Sequence, residues 1–421
     1  MEYKASVTSP LISGEVTINM KNTGFSVSSM LDTAEIFFYD INAVRTADYK
    51  VFVLTDSGKF IFEKMGQWCE PFYQTLRDAY QAEMRKALFI SSTPVVTLRG
   101  EFTFIEKSKG LDEEDDKPVY AGTADIEVYD NAICFLTGDT NSRRVPLCFL
   151  NDIKKESYGW FEFILDNGDR YSCSKLGYET APFEKAISDG LKSLREKSSE
   201  LIKEIEPNLN TMQLNQISKK MIEGAAASIS TLTEIAPELV AGIEKHIAAG
   251  SRIADTFDSL KSNSDSSKMY VGIKKEYAVV SGQSSAGLNE MTAADAETAA
   301  DAVTEAETLM FWLIAPSPKG NICAVEFVGG DDSAAATFIY KFNGDFENFA
   351  VNLNYALEAI EFKRNVIRIP ASELRKPDNA HYALAVKVNS SLNFVRECFQ
   401  DRIIHSSPES WEEKLKGFFN K

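Results

Sequence analysis

The chain repeats itself, and a repeat of about a hundred residues points to two copies of one small domain before any other feature is weighed. Lys64-Met65-Gly66 stands four residues ahead of Pro71-Phe72, and Lys175-Leu176-Gly177 stands four residues ahead of Pro182-Phe183, at an offset of 111 residues. Upstream, Phe37-Phe38-Tyr39-Asp40-Ile41 matches Cys148-Phe149-Leu150-Asn151-Asp152-Ile153 at nearly the same offset. The turn Asp56-Ser57-Gly58 likewise matches Asp166-Asn167-Gly168. One duplication accounts for all three correspondences, whereas chance would have to supply each separately.

Each copy reads as strands followed by one helix. Tyr49 to Leu54 and Lys59 to Phe62 flank a Gly-containing turn in the first copy, as Trp160 to Leu165 and Arg170 to Cys173 do in the second. Strand, short Gly turn, strand is the hairpin signal. The Pro that follows falls where the first turn of a helix tolerates a missing N–H. Phe72, Leu76, Ala79 and Tyr80 then recur at helical spacing, as do Phe183, Ile187, Leu191 and Leu194, so each helix carries one apolar stripe. Antiparallel strands closed by an amphipathic helix predict an α+β fold of small sandwiches or barrels, each capped by its own C-terminal helix.

This order of elements resembles the pleckstrin-homology-like (PH-like) superfold, including GRAM-type and bacterial PH-like domains, over roughly residues 1 to 90 and 95 to 197. The resemblance implies recognition of lipids, peptides or proteins rather than catalysis. It also implies that basic residues in the first hairpin loop would hold inositol phosphates in a lipid-binding member. Neither loop here has that pattern. Thr8 to Gly14 carries no charge, and the loop of the second copy carries Asp112-Glu113-Glu114-Asp115-Asp116 with Lys107, Lys109 and Lys117 beside it. The expected domains are 1–92 and 93–197, a helical connector at 198–264, a divergent third PH-like domain at 265–362 and a C-terminal helical extension at 363–421.

In the connector, Met212, Ile217, Met221, Ala225 and Ile229 can share one helical face, as can Leu239, Ile243, Ile247 and Ile253, with breaks at Pro207, Gly224 and Pro237. Such stripes pack on their own protein or pair between chains in a homo-oligomer. The third copy is expected from strands at 309–314, 321–328 and 336–342, then Asn343-Gly344 and a helix using Phe346, Phe349, Leu353 and Leu357. Residues 281–307 hold six acids and no Lys or Arg and read as an acidic insertion, because unpaired like charges repel in a helix. Val366 to Pro370 reads as extended and 378–404 as helical. Trp411, Leu415, Phe418 and Phe419 form a last stripe, which docks on its own protein or serves as a helix-in-groove ligand for a partner.

The net charge of -17 sets a field that repels phosphate backbones and anionic lipid, so nucleic acid is not an expected partner and charge disfavours a membrane. No signal peptide or membrane span is read, and a cytoplasmic protein is expected. The six cysteines lack the paired short spacings of zinc or redox sites and read as buried, reduced thiols. His246, His381 and His405 fit no catalytic pattern, and Gly282 to Gly287 lacks the setting of a phosphate loop. No cofactor or metal is implied.

Lys64 and Lys175 are the candidate ligand contacts. They stand just before a helix N-terminus, where an anion would be favoured, or else their stems cover the sandwich edge with the ammonium in water. The expected function is a non-catalytic scaffold or binding module for proteins or peptides. Peripheral membrane recognition through the first domain is the alternative, and an enzyme with an unrecognised carboxylate site the third.

Overall fold

The computed structural model describes residues 2–107, 117–156, 159–250, 256–280, 304–329, 336–376 and 379–420. The chain is α+β, with three antiparallel sheets. It divides into two units, Met1–Ser193 with Val351–Glu397, and Leu194–Ala350 with Cys398–Lys421. The run Asp112 to Asp116, the stretch 281–303 with its near-miss glycines, Asp331-Asp332 and Ile253 lie outside the described residues.

The first sheet contains β1 (Glu2–Thr8), β2 (Ser13–Lys21), β3 (Gly24–Ser28), β4 (Thr33–Phe37), β5 (Ile41–Ala47), β6 (Lys50–Thr55) and β7 (Gly58–Glu63). Their order is β4-β3-β2-β1-β7-β6-β5, and helix α1 (Cys69–Ala87) follows. The second contains β8 (Val96–Ile105), β9 (Tyr120–Val128), β10 (Ala132–Leu136), β11 (Arg143–Pro146), β12 (Leu150–Glu156), β13 (Trp160–Leu165) and β14 (Arg170–Ser174). Their order is β11-β10-β9-β8-β14-β13-β12, and α2 (Thr180–Ile205) follows. Element for element the two sheets have one topology, so each with its helix is called a β-body below.

The repeated motif fixes the same turn in both bodies. Lys64 and Gly66 have φ of 61° and 56°, and Lys175 and Gly177 have φ of 58° and 60°. This left-handed backbone costs little only at Gly, which accounts for the shared glycine. Pro71 and Pro182 sit in the first turn of their helices, and the Phe after each is fully buried. Phe72 meets Phe62 edge-on at 5.5 Å, and Phe183 meets Phe161 at 5.3 Å. A 3₁₀ turn precedes β5 (Phe38–Asp40) and β12 (Leu147–Phe149), and both strands start with a bulge. The turns therefore match Asp40 with Phe149, two residues from the pairing drawn from sequence. The continuous apolar run around Leu147 left that register open.

A polar seam joins the two bodies. Arg77, Gln81 and Arg85, spaced i, i+4, i+8 on α1, face alternate residues of β9. Arg77 pairs with Asp125, Gln81 Nε2 donates to Asp125 at 2.7 Å, and Arg85 Nη2 meets Glu127 at 2.5 Å. At the β5 edge, Val44 N–H donates to Gly138 O at 2.7 Å and Thr140 N–H to Asn42 O at 3.1 Å. The loop between β10 and β11 thus covers that edge as an extra strand would.

The next elements are α3 (Thr211–Ile217), β15 (Ala227–Ser228), α4 (Ile229–Ile235), α5 (Pro237–Gly250), α6 (Thr256–Asn263), β16 (Tyr270–Val280), β17 (Thr304–Pro316), β18 (Ile322–Val328), β19 (Ala336–Lys341) and α7 (Phe346–Ala359). After them come α8 (Asn365–Arg368), α9 (Ala371–Leu374), α10 (Ala380–Val388), α11 (Ser390–Cys398), β20 (Phe399–Ile404) and α12 (Pro408–Phe419). The third sheet runs β15-β16-β17-β18-β19-β20. The strands and helix expected between 309 and 357 are present, but this sequential order differs from that of the two bodies. A strand, Gly, helix signal sets local elements and does not choose strand partners. Val366 to Arg368 is a helical turn rather than extended, and 399–404 is a strand on β19 rather than helix.

In the second unit, α2 ends in Leu201, Ile202 and Ile205, which join Ile217, Leu232, Leu239, Ile243 and Ile247 in one apolar core. Met212 is exposed, because the chain leaves the helix after Ile217 and the proposed five-residue face is never built. In the first unit, residues 351–397 return to the β-bodies. Arg144 on β11 makes a two-pronged, fully buried pair with Glu358 on α7, with Nη1–Oε2 at 2.9 Å and Nη2–Oε1 at 3.1 Å. On α10, Lys387 Nζ donates to Asp56 Oδ1 at 2.8 Å and to the Tyr39 carbonyl at 3.2 Å.

Candidate functional site

Strands β1 and β3 run in one direction and β2, β4 and β7 in the other, so the β1–β2, β3–β4 and β6–β7 turns share one end of the first body. Pro10 lies against the last of these turns, since a Cβ on Gly58 would come within 2.7 Å of its Cγ. Two of the turns are built alike. In Ser9-Pro10-Leu11-Ile12, Ser9 Oγ accepts from Leu11 N–H at 3.3 Å and Ile12 N–H at 3.0 Å and donates to Ile12 O at 2.8 Å. In Ser29-Met30-Leu31-Asp32, Ser29 Oγ accepts from Leu31 N–H at 3.2 Å and Asp32 N–H at 3.0 Å and donates to Asp32 O at 3.3 Å.

Each serine satisfies backbone groups that would otherwise bond water, and each turn holds a leucine at the position two after the serine. The tips face solvent. Leu11 is 54% exposed, Met30 101% and Leu31 92%. Scattered single exposures of this kind are ordinary, but apolar apices on two neighbouring, internally bonded loops form a surface that favours removal from water. No Lys or Arg lies in either tip.

The candidate contacts from sequence sit elsewhere. Lys175 Nζ is 2.6 Å from Glu101 Oε1, and this hydrogen bond holds the Glu101 carboxyl below its usual range. Lys64 is exposed next to Glu63, at the end of the first body opposite the tips. Trp411, Leu415 and Phe419 are buried in the second unit's core with Phe418 packed partly against it, so the stripe docks on its own chain and leaves no open face for a partner's groove.

That docking surrounds a buried polar cluster which sequence reading missed. Trp411 Nε1 donates to Thr337 Oγ1 at 2.7 Å, Thr337 donates to Glu326 Oε2 at 2.5 Å, and His405 Nε2 lies 3.1 Å from Glu326 Oε1. With all of these side chains out of solvent, the cluster fastens α12 and the end of β20 to the sheet. Glu326 within an otherwise apolar strand was the available signal, since a buried carboxylate needs a partner. His246 Nδ1 lies 2.9 Å from the Gly242 carbonyl of its own helix, whereas the side chain of His381 lies outside the described residues.

Five of the six cysteines are buried, and Cys398 is half-buried. Burial pushes Cys173 up to about 12 and raises Cys134 and Cys323 further, so these thiols are poor nucleophiles. Among the described residues no three His, Cys, Asp or Glu side chains gather as metal ligands, and no helix is long and apolar enough to cross a membrane. Set against known proteins, the chain matches no family model and no curated protein.

Proposed function

We propose that the chain is a non-catalytic recognition protein of the cytoplasm, built on two PH-like domains fused into one rigid tandem that binds a protein partner through the tips of its first domain. The shared strand order, each sheet followed by its helix, supports the PH-like reading. The observation that carries the binding role is the pair of serine-clamped tips with Leu11, Met30 and Leu31 in solvent. Burying three such side chains supplies about 1.5–3 kcal/mol each, and loops already held in shape lose little entropy on binding. Glu15 beside the first tip and Asp32 within the second, with the net charge of -17, oppose an anionic bilayer and suit an apolar pocket rimmed by basic groups.

A photo-reactive residue in place of Leu31 in the full chain is expected to cross-link one reproducible protein. The same residue at Tyr49, at the opposite end of the body, is expected not to. Equal labelling from both positions would refute the tip as the docking point. Apolar side chains exposed on tips without Lys or Arg also favour the second reading, peripheral membrane contact, and flotation with vesicles that is lost on Leu31→Ser would establish it instead.

A further inference from the structure

The second unit contains an open trough of ≈ 620 Å³ where α4, α5 and the end of α6 meet. Its apolar lining is half-buried Ile229 and Val240 with exposed Pro237 and Ala241, and it also holds Glu234 and Glu244, with Lys261 bonded to Glu244 at 2.9 Å. Proline and alanine on the α5 wall let a second backbone approach closely, so the trough matches a helix lying lengthwise better than a bulky side chain entering end-on. Lys261 offsets Glu244, so the open charge on the rim is Glu234, which attracts an incoming helix with Lys or Arg beside its apolar stripe and repels an acidic one.

A second copy of this chain cannot supply that helix from its described residues, where Met212 is the sole large apolar side chain exposed on an α-helix. The chain's own last helix has already buried its stripe. We propose that this trough seats a basic amphipathic helix of a partner protein, at a site separate from the tips of the first domain.

The test uses the full chain and a labelled synthetic peptide of about 18 residues, five helical turns, with leucines at i, i+3, i+4, i+7 and lysines between them. A matched peptide with glutamates is the control, and fluorescence anisotropy is read at about 0.15 M salt. The lysine peptide is expected to bind. Ala241→Trp, which fills the trough from an exposed position, and Glu234→Lys are each expected to weaken it about ten-fold.

Glu179→Lys, the same charge change in the other unit, is expected to leave binding intact, and Leu31→Ser likewise, which separates this site from the tip proposal. Binding of the glutamate peptide, equal weakening by Glu179→Lys and Glu234→Lys, or unchanged binding by Ala241→Trp would each overturn the proposal. Flotation with neutral vesicles abolished by Ala241→Trp would assign the trough to a bilayer instead.

Discussion

A buried charge has to be matched, and Arg144 shows how completely this chain does so. Burial works against its charged form, but the carboxylates of Glu358 and Glu361 more than offset that and raise its pKa. Removing one partner leaves the other unpaired in the interior, so Glu358→Gln is expected to cost about 3–5 kcal/mol in a urea melt, while Arg144→Met with Glu358→Leu together should recover most of it. Lys64 makes the opposite case. It pays for a left-handed backbone that its neighbour Gly66 adopts freely, so Lys64→Gly is expected to stabilise by about 0.5–1 kcal/mol. A loss of stability in that melt would mean the lysine side chain contributes more than its geometry indicates. Both residues were visible in the sequence, but only Lys64 drew attention there. An Arg-Arg pair beside Val145 and Leu147 carries no hint that Arg144 meets a glutamate more than two hundred residues away.

Among elements, short-range patterns were the most legible. Hairpins, the Pro-initiated helices and the final stripe all stand where periodicity places them, because each is specified within a few residues. Pairing over long distances was not legible: neither the sequential order of the third sheet nor β20 returning to β19 follows from local alternation. Of the two tips, only the first stands out in the sequence, as an uncharged loop, and the second gives no sign, since Ser-x-Leu carries no periodic signal and its clamp is a side-chain hydrogen bond. Docking of α10 was hidden for the same reason, and it can be tested through Asp56. Burial pushes this carboxyl up, but hydrogen bonds from Lys387 and Asn42 outweigh it and hold the group below its ordinary 3.8. A folded value below the unfolded one contributes stability above about pH 3.8 that disappears as pH falls through the folded value. Lys387→Met should therefore shift the Asp56 titration upward in carboxyl NMR, and an unmoved curve would show that the lysine does not govern it.

At the largest scale, the α1 ladder on β9 and the covered β5 edge tie the two bodies of the first unit together away from the tips. Changing the tips should therefore alter binding without touching the scaffold. Met30→Ser with Leu31→Ser is expected to stay within about 0.5 kcal/mol of the parent in stability, and a larger drop would mean the tips pack against something after all. The pairing of Arg144 with Glu358 has a further effect on how the chain is made. The two residues are 214 positions apart, and a ribosome adding about 5–20 residues per second needs on the order of 10–40 s to deliver the glutamate after the arginine. Throughout that interval the nascent second body holds an unanswered cation at its rim, so its final closure waits on translation of the far end, and premature termination before residue 358 yields a product that holdase chaperones should retain.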